Sequence, residues 1–229
     1  MNLLKYYQKI DDAITYLFSS VSNEKKLLKD VLKKKKIVYV DIGTNVGNYL
    51  SFIQKNFKIE KIYCFEPIKN LIKDIEKITI NKNSEIFNVA LSDKEQLKKF
   101  LIYEIPSQSS FYRKNKIYPS IQKISKSKKI RTKVFDKIFN KNQKIDYCKI
   151  DAQGEDYKIL KGMKNNLKKG NIKLLKIEIG FPLHYEKVPN SYLDILNYLD
   201  RFNYNLFSIT KIKYTKNTIL FMDAFFKKN

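Results

Sequence analysis

The 229-residue chain carries 46 Lys+Arg against 23 Asp+Glu, a formal charge of +23, with 43% hydrophobic and 14% aromatic residues. This composition excludes a disordered polyelectrolyte, and the length suits one α/β domain with a large core. The only arginines are Arg113, Arg131 and Arg201. Arginine is the preferred side chain for bidentate phosphate and guanine contacts, so the lysine excess reads as a compositionally biased, solvated surface rather than a nucleic-acid footprint.

No run approaches the roughly 18 consecutive apolar residues of a membrane span. Lys5, Lys9, Asp11 and Asp12 stand where a signal peptide would have its apolar core. The chain therefore reads as soluble and cytoplasmic.

Tyr7, Ile10, Ile14 and Leu17 recur at helical spacing and predict a helix over 3–18. A second is expected over 22–32, ending in Lys33 to Lys36, cations that complement a helix C-terminus. Together they form an N-terminal helical extension, 1–36, to a single domain with its catalytic core over 37–229.

Ile37-Val38-Tyr39-Val40 runs into Asp41-Ile42-Gly43-Thr44-Asn45-Val46-Gly47. This is strand, glycine-bracketed turn and helix start, the first half of a nucleotide-binding βαβ unit. A dinucleotide fingerprint would need glycine at Asn45, and a phosphate loop would need Gly-Lys-Ser/Thr where the chain has Gly47-Asn48-Tyr49. Asp41 at the strand tip repels phosphates and suits a cationic ligand, a requirement that an amino-acid-bearing sulfonium nucleoside meets. The alternative is a tight βα turn in any α/β protein.

A helix is expected over 49–57 and a strand over 61–65, stopped by Glu66-Pro67. Glu66 lies 25 residues after Asp41, near the spacing at which an acid accepts ribose hydroxyls. A helix over 68–80 leads to a strand over 84–90, and Ala90-Leu91-Ser92-Asp93 would border an adenine. After a strand over 98–104, the Ser- and Lys-rich stretch 106–130, with Pro106 and Pro119, reads as a loop insertion. Ser107, Ser109, Ser110, Phe111, Tyr112 and Arg113 are its candidate substrate contacts.

A strand over 144–151 ends in Asp151, and Ala152-Gln153-Gly154-Glu155-Asp156 makes the turn. Tyr157, Leu160, Met163 and Leu167 mark the next helix, and 174–179 a further strand. Asn190 or Ser191 caps a helix with Tyr192, Ile195, Leu196, Leu199 and Phe202 on its apolar face. Strands over 204–209 and 218–226 close the chain. Alternating strands and helices predict a doubly wound α/β fold with a mostly parallel sheet. Cys64 and Cys148 fall on strands expected to flank the Val40 strand, about 9.6 Å apart, beyond the roughly 7 Å limit for a disulfide. They read as free thiols in a reducing compartment.

In such a sheet the ligand sits beyond the carboxyl ends of the strands, where Asp41, Glu66 and Asp151 are expected to converge. No Cys/His cluster has zinc-ligand spacing, so no metal is assigned. A hydroxyl acceptor would need a general base. Asp151 is the first candidate, His184, the only histidine, the second, and Glu178 the third.

The ordered set Asp41-Ile42-Gly43-Thr44-Asn45-Val46-Gly47, Phe65-Glu66-Pro67, Ala90-Leu91-Ser92-Asp93, Lys149-Ile150-Asp151-Ala152-Gln153-Gly154 and Leu160-Lys161-Gly162 resembles the FkbM-type S-adenosylmethionine-dependent methyltransferases. The resemblance runs from about Val38 to Glu178, and Asp223-Ala224-Phe225-Phe226 looks like the closing strand of that family. The chain departs from the pattern at Glu155, where the family usually has a large apolar residue, and at Asp156, usually a glutamate. The resemblance implies a Rossmann-like class I fold, a seven-stranded sheet with its last strand antiparallel, binding S-adenosylmethionine. By position, Asp41, Gly43, Asn45 and Gly47 would cradle the methionine part, Glu66 the ribose and Ala90 the adenine rim. Asp151 would lie near the sulfonium or the acceptor. Family members typically methylate a hydroxyl on a sugar or secondary metabolite. The expected partner is thus a small-molecule or glycan acceptor. The alternatives are an RNA or protein methyltransferase using the basic surface, and a non-catalytic binding protein on the same fold.

Overall fold

The computed structural model describes residues 24–33, 36–79, 83–115, 123–139, 142–181, 185–186, 192–214 and 218–229. The expected helix over 3–18 lies outside these residues, as does His184. Two compact units divide the chain after residue 35. In the first, residues 24–31 are helical (α1), and the Leu32 N–H donates to Leu28 O at 2.7 Å.

The second unit opens with β1 (Ile37–Ile42), α2 (Asn48–Asn56), β2 (Ile59–Phe65), α3 (Lys69–Thr79) and β3 (Ser84–Phe87). It continues with β4 (Ala90–Ser92), β5 (Leu97–Tyr103), β6 (Ile124–Val134), α4 (Phe135–Ile138) and β7 (Ile145–Ile150). It ends with α5 (Asp156–Gly162), α6 (Lys164–Lys168), β8 (Ile172–Gly180), α7 (Tyr192–Asp200), β9 (Tyr204–Tyr214) and β10 (Ile219–Lys228). Seven strands form one sheet in the order β3-β2-β1-β7-β8-β10-β9. Its pairings are parallel except that β10 runs antiparallel to both neighbours. This is the expected doubly wound architecture with its reversed last strand.

The central strands are buried on both faces because helices cover both. On one face Val40, Ile42, Cys148, Ile150, Leu175 and Ile177 lie in register and pack with Leu160, Met163 and Leu167 of α5 and α6. Burial of each aliphatic side chain of this kind contributes roughly 1.5–3 kcal/mol. On the other face Tyr39 stacks on Tyr147 at 5.4 Å between centroids, and Tyr147 on Phe225 at 6.4 Å. Both cysteines are free and buried, on β2 and β7 either side of β1. Among the described residues no helix is long and apolar enough to cross a membrane.

Three elements differ from the sequence expectation. The strand expected over 84–90 stops at Phe87, and Ala90 opens β4, which leaves the main sheet for a second one ordered β4-β6-β5. Asn88 makes the break, its side-chain amide donating to Glu66 O at 2.8 Å. The expected insertion over 106–130 is only partly a loop. A 3-10 turn spans Pro106–Gln108, and β6 starts at Ile124, antiparallel to β5 and parallel to β4. β6 is polar and largely exposed, so backbone pairing rather than an apolar face defines it, and no periodicity betrays it. The helix expected through 157–167 breaks at Met163 into α5 and α6.

Candidate functional site

The turn after β1 is built so that another backbone can press against it. Gly43 has φ 77, and a Cβ there would stand 2.0 Å from the Asp151 carbonyl oxygen. Its N–H donates to Phe65 O at 2.9 Å, closing the β1 tip onto β2. Gly47, φ 82, is the N-cap of α2, where a Cβ would stand 2.6 Å from Ile78 Cδ1. Between them Asn45, φ 54, donates its N–H to Glu66 Oε2 at 2.8 Å, and the Ile68 N–H donates to Glu66 Oε1 at 2.8 Å. Burial nevertheless pushes the Glu66 carboxyl up to about 7, against the pull of those two donors.

A cleft opens beside this turn. Gly43, Asn45, Glu66, Ala90 and Asp151 line it together, with Val89, Leu91, Phe100, Phe111 and Ile159 supplying an apolar wall. Five residues singled out from sequence therefore meet at one cavity. Asp41 and Gly47 do not line it. Among the loop candidates, Ser107, Ser109 and Phe111 face this cleft.

Whether the cleft suits a nucleoside with an amino-acid tail can be judged from its own atoms. Asn45 Oδ1 is buried and has no hydrogen-bond partner among the described residues, which fits a donor such as an ammonium. Gly43 contributes bare backbone to the wall of the cleft, its missing Cβ making room for the Asp151 carbonyl. Glu66 offers carboxyl oxygens to hydroxyl donors in the cleft, and the apolar wall suits a purine. These residues fit S-adenosylmethionine.

Asp41 does not converge on the cleft as expected. It is 0% exposed, and its Oδ1 lies 3.2 Å from Lys149 Nζ. Alternation along β7 puts Lys149 on the Asp41 face, in register across β1 and β7. Lys149 Nζ also donates to Gly43 O at 3.2 Å and lies 3.6 Å from Asp151 Oδ2. Burial would lower the Lys149 pKa, but Asp41 and Asp151 hold it well above the usual lysine range. On the neighbouring strands Lys176 pairs with Asp223 at 3.1 Å. A row of buried charges, Asp41, Lys149, Lys176 and Asp223, thus crosses four adjacent strands. Tyr49 of α2 sits over both ammonium groups, at 5.7 Å and 4.3 Å from its ring centroid.

Asp151 stands where the cleft meets a second polar cluster. Burial would raise its pKa, but the Lys149 ammonium and a hydrogen bond from Gln153 keep it below the usual carboxylate range. Gln153 Nε2 donates to Asp151 Oδ1 at 2.9 Å and to Glu178 Oε2 at 2.6 Å. Lys114 Nζ donates to Gln153 Oε1 at 2.7 Å and to the Tyr185 hydroxyl at 3.2 Å. Burial pushes Lys114 down to about 8, despite the pull of Glu178, Asp151 and Asp156. The Glu178 carboxyl is raised well above its ordinary range by burial, then by Asp151 and Asp223. Asp156 closes the turn, accepting the Ala152 N–H at 2.8 Å and the Gly154 N–H at 2.9 Å.

Glu155, one of the two departures from the family pattern, is buried and paired. Its carboxylate accepts from Lys98 Nζ at 2.7 Å and 2.8 Å and from Ser92 Oγ at 2.6 Å. Sequence reasoning missed Lys98, Lys114, Lys149 and Lys176. In a chain with 46 basic residues a lysine carries no signal of its own. The one available for Lys149 is its place two residues before Asp151, on the same strand face.

The sequence profile described as the methyltransferase FkbM domain matches residues 41–206. No curated protein matches the chain. Among solved structures, the magnesium protoporphyrin IX methyltransferase of Synechocystis PCC 6803 with bound SAM superposes with a TM-score of 0.54 at 9% identity, covering 96% of this chain and 83% of that one. An S-adenosylmethionine-dependent methyltransferase from Clostridium acetobutylicum gives 0.49 at 11%, covering 100% of both chains. An rRNA methylase from Streptococcus thermophilus gives 0.49 at 12%, covering 90% and 93%. The Synechocystis likeness supports the Rossmann-like fold, and the profile match spans most of the sequence. The chain belongs to the FkbM family of S-adenosylmethionine-dependent methyltransferases.

Proposed function

We propose that the protein transfers the methyl group of S-adenosylmethionine to a hydroxyl of a sugar, glycan or secondary metabolite. The observation that carries this reading is Asp151, 34% exposed at its side chain, at the junction of the cleft and the Gln153–Glu178–Lys114 cluster. A hydroxyl acceptor needs a proton acceptor beside the reacting atom, and Asp151, in the lining of the cleft, supports that role. The sulfonium supplies an activated methyl group and a good leaving group. The residues of this chain then hold, orient and deprotonate. Gly43 and Asn45 receive the amino-acid part, Glu66 accepts from the ribose, and Ala90 borders the base. Asp41 acts from behind the turn by fixing Lys149, and Gly47 by setting the entry of α2. Holding acceptor and methyl in line supplies much of the acceleration. Asp151 remains the leading catalytic carboxylate, and His184, one residue before Tyr185, a second candidate from sequence. Two free buried thiols support a reducing, cytoplasmic setting.

The test is methyl transfer from labelled S-adenosylmethionine to a panel of sugars, nucleosides and peptides, beside calorimetric binding of the donor. Transfer to a hydroxyl is the expected outcome. Absence of donor binding would sink the reading. A second reading, RNA methylation, is favoured by the +23 charge. It requires transfer to RNA and an affinity that falls steeply with salt.

A further inference from the structure

Gln153 is tied through its carbonyl and through both ends of its side-chain amide. Its backbone sits at φ 51, and its carbonyl accepts from Ser110 Oγ at 2.5 Å. Its side-chain oxygen receives Lys114 Nζ and the Tyr185 hydroxyl. Because that oxygen faces a cation, the amide nitrogen must face the two carboxylates, so the amide orientation is set by its surroundings. The nitrogen then donates to Asp151 and Glu178 at once.

We infer that Gln153 is a positioning residue that joins Asp151 and Glu178 into one proton-accepting unit, and that this pair, rather than Asp151 alone, takes the acceptor's hydroxyl proton. The inference rests on the hydroxyl-acceptor reading above. Two carboxylates sharing one donor repel when both are ionised, so the pair holds a single proton over a wide pH range. The charges facing it decide which member holds it. From β7, Lys149 favours the ionised form of Asp151, and Lys211 of β9 and Lys176 of β8 add to that. Glu178 meets Asp223 from β10, Asp156 from α5 and Asp151 itself, opposed by Lys114. The proton therefore sits on Glu178, and Asp151 carries the negative charge next to the cleft. In the reaction the acceptor oxygen bonds to the methyl carbon as the carbon–sulfur bond breaks. The bonding pair leaves with sulfur, and the hydroxyl proton passes to Asp151, giving a fully protonated pair that then loses one proton to solvent. Gln153 holds both members in place through that change.

The test uses the full chain with carboxyl-13C aspartate and glutamate, titrated by NMR. Sinefungin, which carries an ammonium in place of the methylated sulfonium, serves as the probe of the cleft. The expected result is that the Asp151 and Glu178 signals each report two steps separated by more than about one pH unit. Glu178→Gln should collapse the Asp151 curve to one step, and Gln153→Leu should shift both curves. Sinefungin affinity should rise with pH across the upper step, up to about tenfold per pH unit, more steeply than in Glu178→Gln. An Asp151 titration unchanged in Glu178→Gln would overturn the pairing. An unchanged pair in folded Gln153→Leu would remove Gln153 from it, and if that variant does not fold, Gln153→Met replaces it. Failure of sinefungin to bind would count against the methyl-donor cleft, while the titration would still decide the pairing.

Discussion

Glu66 shows how one residue links stability and binding. Its carboxyl is raised to about 7, so the folded apoprotein favours the protonated form. That contribution to stability is fully present below the ordinary glutamate range and is lost as pH rises through about 7. Accepting ribose hydroxyls calls for the ionised form, so donor affinity should increase as pH rises through about 7. Calorimetry at a series of pH values checks this, and Glu66→Gln should flatten that part of the dependence and weaken binding. At Gly43 a valine would combine positive φ with a Cβ 2.0 Å from Asp151 O. Gly43→Val should abolish donor binding and also cost on the order of 1–3 kcal/mol in a urea melt. Retained donor affinity would remove this turn from the site. Gly43, Asn45, Glu66, Ala90 and Asp151 were legible in the sequence because backbone geometry and strand ends fix their type and spacing. Asp41 reads from the sequence as an acid facing a ligand and not as the buried partner of Lys149, because that partner comes from a strand more than a hundred residues away in the chain.

Among elements, the small sheet was the least legible. β6 has a pairing partner on each side but hardly an apolar face, and β4 is only three residues long. Both are specified by what they meet. The Lys98–Glu155 pair ties β5 to the turn before α5, with the Lys98 ammonium 4.2 Å from the Phe111 ring centroid. It supplies the reason a carboxylate is tolerated where an apolar residue is usual: its charge is matched by a lysine 18% exposed at its side chain. Lys98→Met strands a buried carboxylate and should cost roughly 3–5 kcal/mol, while adding Glu155→Leu should recover most of that. Urea denaturation of the four proteins in the cycle measures it.

At the scale of the molecule, strand–helix alternation sufficed to predict a doubly wound, mostly parallel sheet, because each crossover must bury its helix against the strands it joins, whereas the seven strands and the reversed last one follow from the family resemblance. The distribution of charge was not readable in this way. The few lysines that turned inward meet acids or aromatic rings, and their number in the sequence says nothing of that choice. The two cysteines are buried and their thiols pushed well above the ordinary range, by burial first and then by Asp41. Modification by a thiol reagent should therefore be slow and rise in parallel with global unfolding as urea is added. Rapid labelling in the native state would contradict the packing of β2 and β7.

β10 lies inside the sheet, between β8 and β9, although it follows both in the chain. During synthesis β8 and β9 each wait with an open hydrogen-bonding edge until residues 219–228 have left the ribosome. The nascent chain thus passes through a stage at which two sticky edges face solvent and neighbouring chains. Loss of those ten residues would make that stage permanent, so even a short premature stop should yield inclusion bodies rather than a weakened enzyme.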